Sequence, residues 1–160
     1  MKKLLVSTLT ALLLVTVLTS ATLAAPATSG KELLLKGSVQ SVETYAINFP
    51  IMSVTASGSG NATQLGRFAV TYAVEVNLLT IAGIGSAQFV AANGDSLFAE
   101  GTGQATETGT PGVFNVVEHF TITGGTGRFV GASGSISLDR VVDTTTGVTS
   151  GTISGNIVLP

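Results

Sequence analysis

The chain has 160 residues, only 10% of them charged, and it contains no cysteine. This length suits a single domain, and the lack of cysteine excludes both a disulfide framework and a lipid-anchored lipoprotein. Seven basic residues stand against nine acidic ones. They are scattered beyond the first few residues, so the chain lacks the Lys/Arg patch on which nucleic-acid binding rests.

The N-terminal residues predict a secretory signal peptide. Lys2 and Lys3 precede an apolar run over residues 4–18, and small residues follow over 21–27. We expect cleavage between residues 24 and 27, which assigns 1–25 to the signal peptide and 26–160 to one β-barrel domain. A retained membrane anchor is the alternative, because the run approaches the roughly 17 to 25 residues that span a bilayer. Cleavage predicts a secreted or periplasmic protein with no membrane attachment afterwards.

The remaining chain predicts an all-β fold. All 20 glycines follow residue 29, and long helical windows are absent. Eight strands with short turns favour an up-and-down barrel or a sandwich. Asn93-Gly94 predicts a two-residue type I′ hairpin turn. The expected strands cover residues 33–43, 51–59, 68–80, 84–92, 96–106, 114–123, 128–142 and 152–159.

One expected strand carries a carboxylate in an apolar row. In the sixth strand Glu118 alternates in step with Val116 and Phe120, so an interior position would make it a candidate general acid or base. Glu100 has a similar setting in the fifth strand, and the two carboxylates could form an acid–base pair. Tyr72 and Phe120, also in apolar rows, are the candidate ligand-binding residues. The alternative for each glutamate is a water-exposed rim or an ion pair with Arg67, Arg128 or Arg140.

Several chemistries are excluded by what the sequence lacks. One histidine and no cysteine cannot supply a common zinc site or a two-histidine iron site. There is no G-x-S-x-G around any serine, and no glycine pair extends to G-x-G-x-x-G or to G-K-[ST]. We therefore expect no metal and no cofactor.

Residues 121–134 read T-I-T-G-G-T-G-R-F-V-G-A-S-G. We expect a hairpin here, in which a strand ends at Ile122, Gly124, Gly125 and Gly127 form the corner, and Arg128 begins the next strand. The triplet Gly-Arg-Phe occurs at 66–68 as well as 127–129, each time at an expected strand start. This repetition indicates either an internal repeat or a turn chemistry used twice.

The pattern G-G-T-G-R-F-x-G-A-x-G resembles the signature of the allene oxide cyclase and dirigent barrels. That resemblance implies an eight-stranded antiparallel, calycin-like barrel with a cavity for an apolar molecule, commonly assembled into dimers or trimers. Family members act chiefly by positioning their substrates. In the family the motif glycines shape a hairpin, and no catalytic residue carries over to this chain.

Three functions follow as hypotheses. The first is a secreted barrel that binds a small apolar ligand without covalent chemistry, since no complete catalytic constellation is present. The second is a cyclase or isomerase that positions its substrate and uses Glu118, with Glu100 as an optional partner. The third is a structural or surface-interaction protein, which the weakly charged exterior favours. That exterior also suits a homo-oligomer.

Overall fold

The computed structural model describes residues 30–160, in which eight antiparallel strands form a closed barrel. Each strand pairs with the next, and β8 closes on β1 with Lys31 opposite Leu159 and Val42 opposite Val148. This closure confirms the eight-stranded barrel and excludes the sandwich. The predicted signal peptide lies outside the described residues. The strands are β1 (Lys31–Asn48), β2 (Ile51–Ala62), β3 (Gly66–Asn77), β4 (Ala82–Val90), β5 (Ser96–Glu107), β6 (Val113–Gly125), β7 (Ser133–Asp143) and β8 (Val148–Leu159).

Side chains alternate between the interior and the outer wall along every strand, as the pleat of a β-strand requires. In β3, Phe68, Val70 and Tyr72 point inward, and in β6 Glu118 and Phe120 do so. The apolar rows of these two strands therefore face the barrel interior. Within residues 30–160 no helix is long and apolar enough to cross a membrane.

The half of the barrel where β1 begins is filled by side chains. The rings of Phe68 and Phe89 meet edge to face, with centroids 5.9 Å apart, a favoured aromatic geometry. Leu65, Leu97 and Phe129 are almost completely buried around them. This filled half supplies the apolar burial that holds a domain without disulfides together.

The connection between β6 and β7 differs from the predicted hairpin corner. β6 continues to Gly125, Gly127–Phe129 forms a short 3-10 helix, and β7 begins only at Ser133. Arg128 therefore does not begin a strand. The physical reason is the burial of Phe129, which is 1% exposed and closes the end of the barrel. The short helix carries that ring inward.

The glycines of this connection do have the geometric role that was expected of them. Gly124 and Gly127 have φ values of 137° and 54°, which side chains with a Cβ rarely adopt. A Cβ on Gly125 would overlap the backbone oxygen of Ser96. All three positions therefore require glycine for the chain to pass from β6 into the short helix.

The turn between β4 and β5 also differs from its prediction. Gly94 has a φ of 89°, whereas Asn93 does not have a positive φ, so the turn is not type I′. The Gly94 N–H donates to the Ala91 oxygen, and the Ala91 N–H donates to the Asp95 oxygen. The connection is thus a three-residue loop with glycine in the left-handed position.

Candidate functional site

The other half of the barrel is hollow. A cavity of about 390 Å³ lies at the end where β1 finishes, within the size range of small-molecule sites. Its wall is largely aliphatic and includes Met52, Val54, Val74, Val76, Val116 and Val142.

The mouth of the cavity carries exposed apolar side chains. Ile47, at the end of β1, lines the cavity and is 68% exposed. Phe49 and Leu79, in the two neighbouring turns, are exposed to a similar extent. An apolar molecule that enters the barrel would therefore meet apolar surface before it reaches the cavity.

A buried polar layer separates the hollow half from the filled half. Glu43, Glu118 and Arg140 border the cavity, and each is less than one tenth exposed. Five strands contribute to the layer, so it ties distant parts of the chain together. Its members are Ser41, Glu43 and Tyr45 from β1, Tyr72 from β3, Glu118 from β6, Arg140 from β7 and Thr149 from β8.

Arg140 is the centre of the polar layer. Its Nε and Nη2 atoms donate to the two carboxylate oxygens of Glu118, over 2.8 and 3.0 Å. Its Nη1 atom shares two hydrogens among three acceptors, which are Glu43, the Tyr72 hydroxyl at 3.2 Å and the Thr149 hydroxyl at 3.1 Å. The guanidinium also lies 5.1 Å from the centre of the Tyr72 ring, within cation–π range. One cation thus holds two buried carboxylates.

Glu43 is held from the opposite side by two phenols. The Tyr72 hydroxyl donates to its Oε1 over 2.6 Å, and the Tyr45 hydroxyl donates to its Oε2 over 2.8 Å. Since the single proton of Tyr72 goes to Glu43, the Ser41 hydroxyl donates to Tyr72 over 3.0 Å. Within residues 30–160 every buried side-chain nitrogen or oxygen has a hydrogen-bond partner.

The protonation states of the layer follow from burial and charge. Burial, together with the nearby Glu43 carboxylate, raises the pKa of both Tyr45 and Tyr72 above the usual tyrosine value. Burial alone would lower the pKa of Arg140, but the hydrogen bonds and charge of Glu118 outweigh it and leave that pKa raised. Both phenols are therefore neutral donors at ordinary pH, and Arg140 is a cation.

Glycine makes room for the charged side chains. A Cβ on Gly103 of β5 would lie 2.7 Å from the Glu118 Cγ atom, and Gly103 is directly opposite Glu118. On the other side Gly151 of β8 is opposite Arg140, and a Cβ there would lie 2.6 Å from the Arg140 Cβ atom. The absence of a side chain at these two positions lets the ion pair lie inside the barrel.

A comparison with solved structures identifies a similar architecture. The pterocarpan synthase dirigent protein matches with a TM-score of 0.58 over 88% of this chain and 98% of that chain. The fold is that of a dirigent-like barrel. Because the two sequences are only 13% identical, the likeness concerns the fold alone. No family model and no curated protein matches the sequence.

The dirigent-like barrel separates the two carboxylates that were expected to form a pair. Glu118 lies inside at the cavity floor, whereas Glu100 is exposed on the outer wall. The inward row of β5 is Leu97, Ala99 and the small residues that follow, so Glu100 falls on the opposite face. The expected Glu100–Glu118 pair is therefore absent, and Glu118 instead forms an ion pair with Arg140.

The two candidate ligand-binding residues have different positions. Neither of them lines the cavity: the Tyr72 hydroxyl belongs to the polar layer, and Phe120 lies on the filled side of that layer. Phe120 is 4% exposed. Its packing in the barrel core explains why an apolar residue lies at this position, and no ligand contact is needed to account for it. Contact between a ligand and Phe120 is thus not expected.

Sequence reasoning missed Glu43, Tyr45 and Thr149, and it named Arg140 only as one of three partners for a glutamate. The alternation of β1 did contain a signal, because Glu43 continues the inward row of Leu35 and Val39. That signal was hidden because Ser41 interrupts the apolar row just before Glu43. Among residues 30–160 no group of three or more histidine or acidic side chains is placed to hold a metal ion.

Proposed function

We propose that this dirigent-like barrel binds a small amphipathic molecule in its cavity without covalent chemistry. The observation that carries the proposal is an aliphatic cavity of about 390 Å³ whose floor is formed by Glu43, Glu118 and Arg140. The apolar body of the ligand would pack on the aliphatic wall. Its polar end would reach the polar layer.

The polar end of the ligand should be a hydrogen-bond donor. Each oxygen of Glu118 accepts one hydrogen bond in the structure, and Oε2 of Glu43 accepts one from Tyr45. A carboxylate oxygen has two lone pairs, so these atoms can accept more. Tyr45 and Tyr72 already donate their only protons to Glu43.

A cyclase or isomerase is the second candidate, and Glu118 inside the cavity is the observation that favours it. Its weakness is the two-pronged ion pair of Glu118 with Arg140, which occupies the carboxylate that would act as the base. Binding alone requires no change in this arrangement. Non-covalent binding is therefore the function that the geometry supports best.

The test uses 1-naphthol, an apolar bicycle with one hydroxyl donor, in calorimetric titrations of the wild type and two variants. Ala105→Leu would fill part of the cavity, because Ala105 lines it, whereas Ala73→Leu adds the same atoms on the exposed outer wall. We expect one site per chain, weakened at least about tenfold by Ala105→Leu and unchanged by Ala73→Leu. Equal affinity in both variants, or no binding to the wild type, would contradict the proposal.

A further inference from the structure

The charges of the polar layer do not balance. Glu43 and Glu118 are carboxylates whose side chains are about 5% exposed, and they share the single guanidinium of Arg140. The raised pKa of Tyr45 and of Tyr72 keeps both phenols neutral. Every hydrogen bond to Glu43 and Glu118 has a carboxylate oxygen as the acceptor, so two acceptor carboxylates share one cation at the cavity floor.

Two of the three hydrogen bonds to Glu43 come from neutral groups. Arg140 uses two nitrogens on Glu118 and only Nη1 on Glu43, and Nη1 is shared with Tyr72 and Thr149. The remaining partners of Glu43 are neutral hydroxyls. An uncompensated charge in a low-dielectric site attracts an opposite charge much more strongly than it would in water.

The charge at the cavity mouth has the same sign. Glu107 and Asp143 end β5 and β7 at this end of the barrel, and Glu75 lies two residues before the end of β3. In residues 30–160 the basic side chains other than Arg140 lie toward the closed end. They are Lys31, Lys36, Arg67 and Arg128.

We propose that the cavity selects an organic cation, a small apolar molecule that bears an ammonium group. The inference rests on the proposed function and names the chemical class of its ligand. The ammonium would lie at the cavity floor, where it donates to Glu43 and to the free lone pairs of Glu118. The acidic mouth would also speed the approach of a cation, an effect that salt weakens.

The test compares three molecules that share the same apolar bicyclic ring system, namely 1-naphthylmethylamine, 1-naphthylmethanol and 1-naphthoic acid. We expect the ammonium to bind at least about tenfold more tightly than the alcohol, and the carboxylate to bind least well. Equal binding of amine and alcohol would overturn the cation inference and leave the proposed function standing. Failure of all three to bind would overturn both.

Two isosteric variants locate the effect. Glu43→Gln removes one of the two negative charges at the cavity floor, so the ratio of amine to alcohol affinity should fall toward one. Glu100→Gln removes the same charge from the outer wall and should leave the ratio unchanged. A ratio that Glu43→Gln does not alter would overturn the assignment to Glu43. The three-ligand series on the wild type stands even if Glu43→Gln fails to fold.

Discussion

Arg140 is the residue on which the polar layer depends. Three of its nitrogens donate to two glutamates on β1 and β6, and the whole side chain is buried. A buried ion pair adds little net stability when it is compared with an apolar replacement, but the loss of one partner is costly because it leaves a charge unpaired. The effect of mutation therefore depends on whether one member or the whole group is removed.

We predict that Arg140→Met lowers the free energy of unfolding by about 3–5 kcal/mol, because two buried carboxylates lose their cation. Adding Glu43→Gln and Glu118→Gln to that variant should recover a large part of the loss. Arg67→Met on the exposed outer face should change stability by less than ~0.5 kcal/mol. Urea denaturation measures all three, and an Arg140→Met variant as stable as Arg67→Met would contradict the account.

Tyr45 and Tyr72 allow a direct measurement of the layer, because they are the only tyrosines and the chain has no tryptophan. We predict that neither phenol ionises in the folded protein near pH ~10, where free tyrosine is half ionised. An ultraviolet titration checks this, with the denatured protein as the control. Normal titration of both phenols in the folded state would show that they do not contact Glu43.

The same shift predicts how stability changes with pH. Both folded-state pKa values are raised, so the folded protein retains protons that the unfolded chain loses near pH ~10. The stability contributed by these hydroxyls is complete below that pH. It is lost as the pH rises toward the folded-state values.

At the scale of elements, the strands were predictable and the closure of the barrel end was not. Period-two alternation correctly placed the inward rows of β3 and β6 because one face of each strand is apolar. The triplet Gly-Arg-Phe shows that local sequence alone does not determine where a strand begins. At Gly66 it opens β3, whereas Gly127–Phe129 forms the 3-10 helix. The triplet is the same at both positions. The two structures differ because the Phe129 ring fills the end of the barrel.

The polar layer was less predictable than the strands for a related reason. Glu118 could be predicted as a candidate interior residue because its neighbours in the same row of β6, Val116 and Phe120, are apolar. Glu43, by contrast, is separated by 97 residues from Arg140, its ion-pair partner. Alternation within one strand indicates which side chains point inward, but not which of them meet across the barrel.

We predict that Phe129→Ala lowers the free energy of unfolding by about 3–5 kcal/mol, because it leaves a cavity at the closed end. Phe49→Ala is the matched control, since Phe49 is 70% exposed and its removal should cost less than ~0.5 kcal/mol. Thermal and urea denaturation both report the difference. Equal effects of the two substitutions would mean that the short helix does not close the barrel.

The whole molecule consists of a filled half that supplies stability and a hollow half that is available for a ligand. The polar layer separates the core that stabilises the fold from the cavity that is available for a ligand. Residues of the cavity wall can therefore change without loss of the core. Assembly into homo-oligomers and secretion stay predictions for this chain. The strand β1 begins at Lys31, beyond the expected cleavage site, so removal of the signal peptide would leave the barrel complete.

We predict that the exported protein lacks between 24 and 27 N-terminal residues, because small residues suited to cleavage follow the apolar run. Intact mass spectrometry of protein from the medium or periplasm of a secreting host measures the cleavage site. A variant without residues 2–18 should remain inside the cell. Recovery of the uncleaved chain in the membrane fraction would instead support a retained anchor.

Binding of an amphipathic molecule in the hollow half, with its polar end on the buried layer, is tested by a crystal structure of the protein soaked with 1-naphthol. We predict that the bicycle lies against the valines of the cavity wall, with its oxygen within hydrogen-bond distance of Glu43 or Glu118. A bicycle bound only on the outer wall, or a cavity that stays free of it at saturating concentration, would contradict the claim.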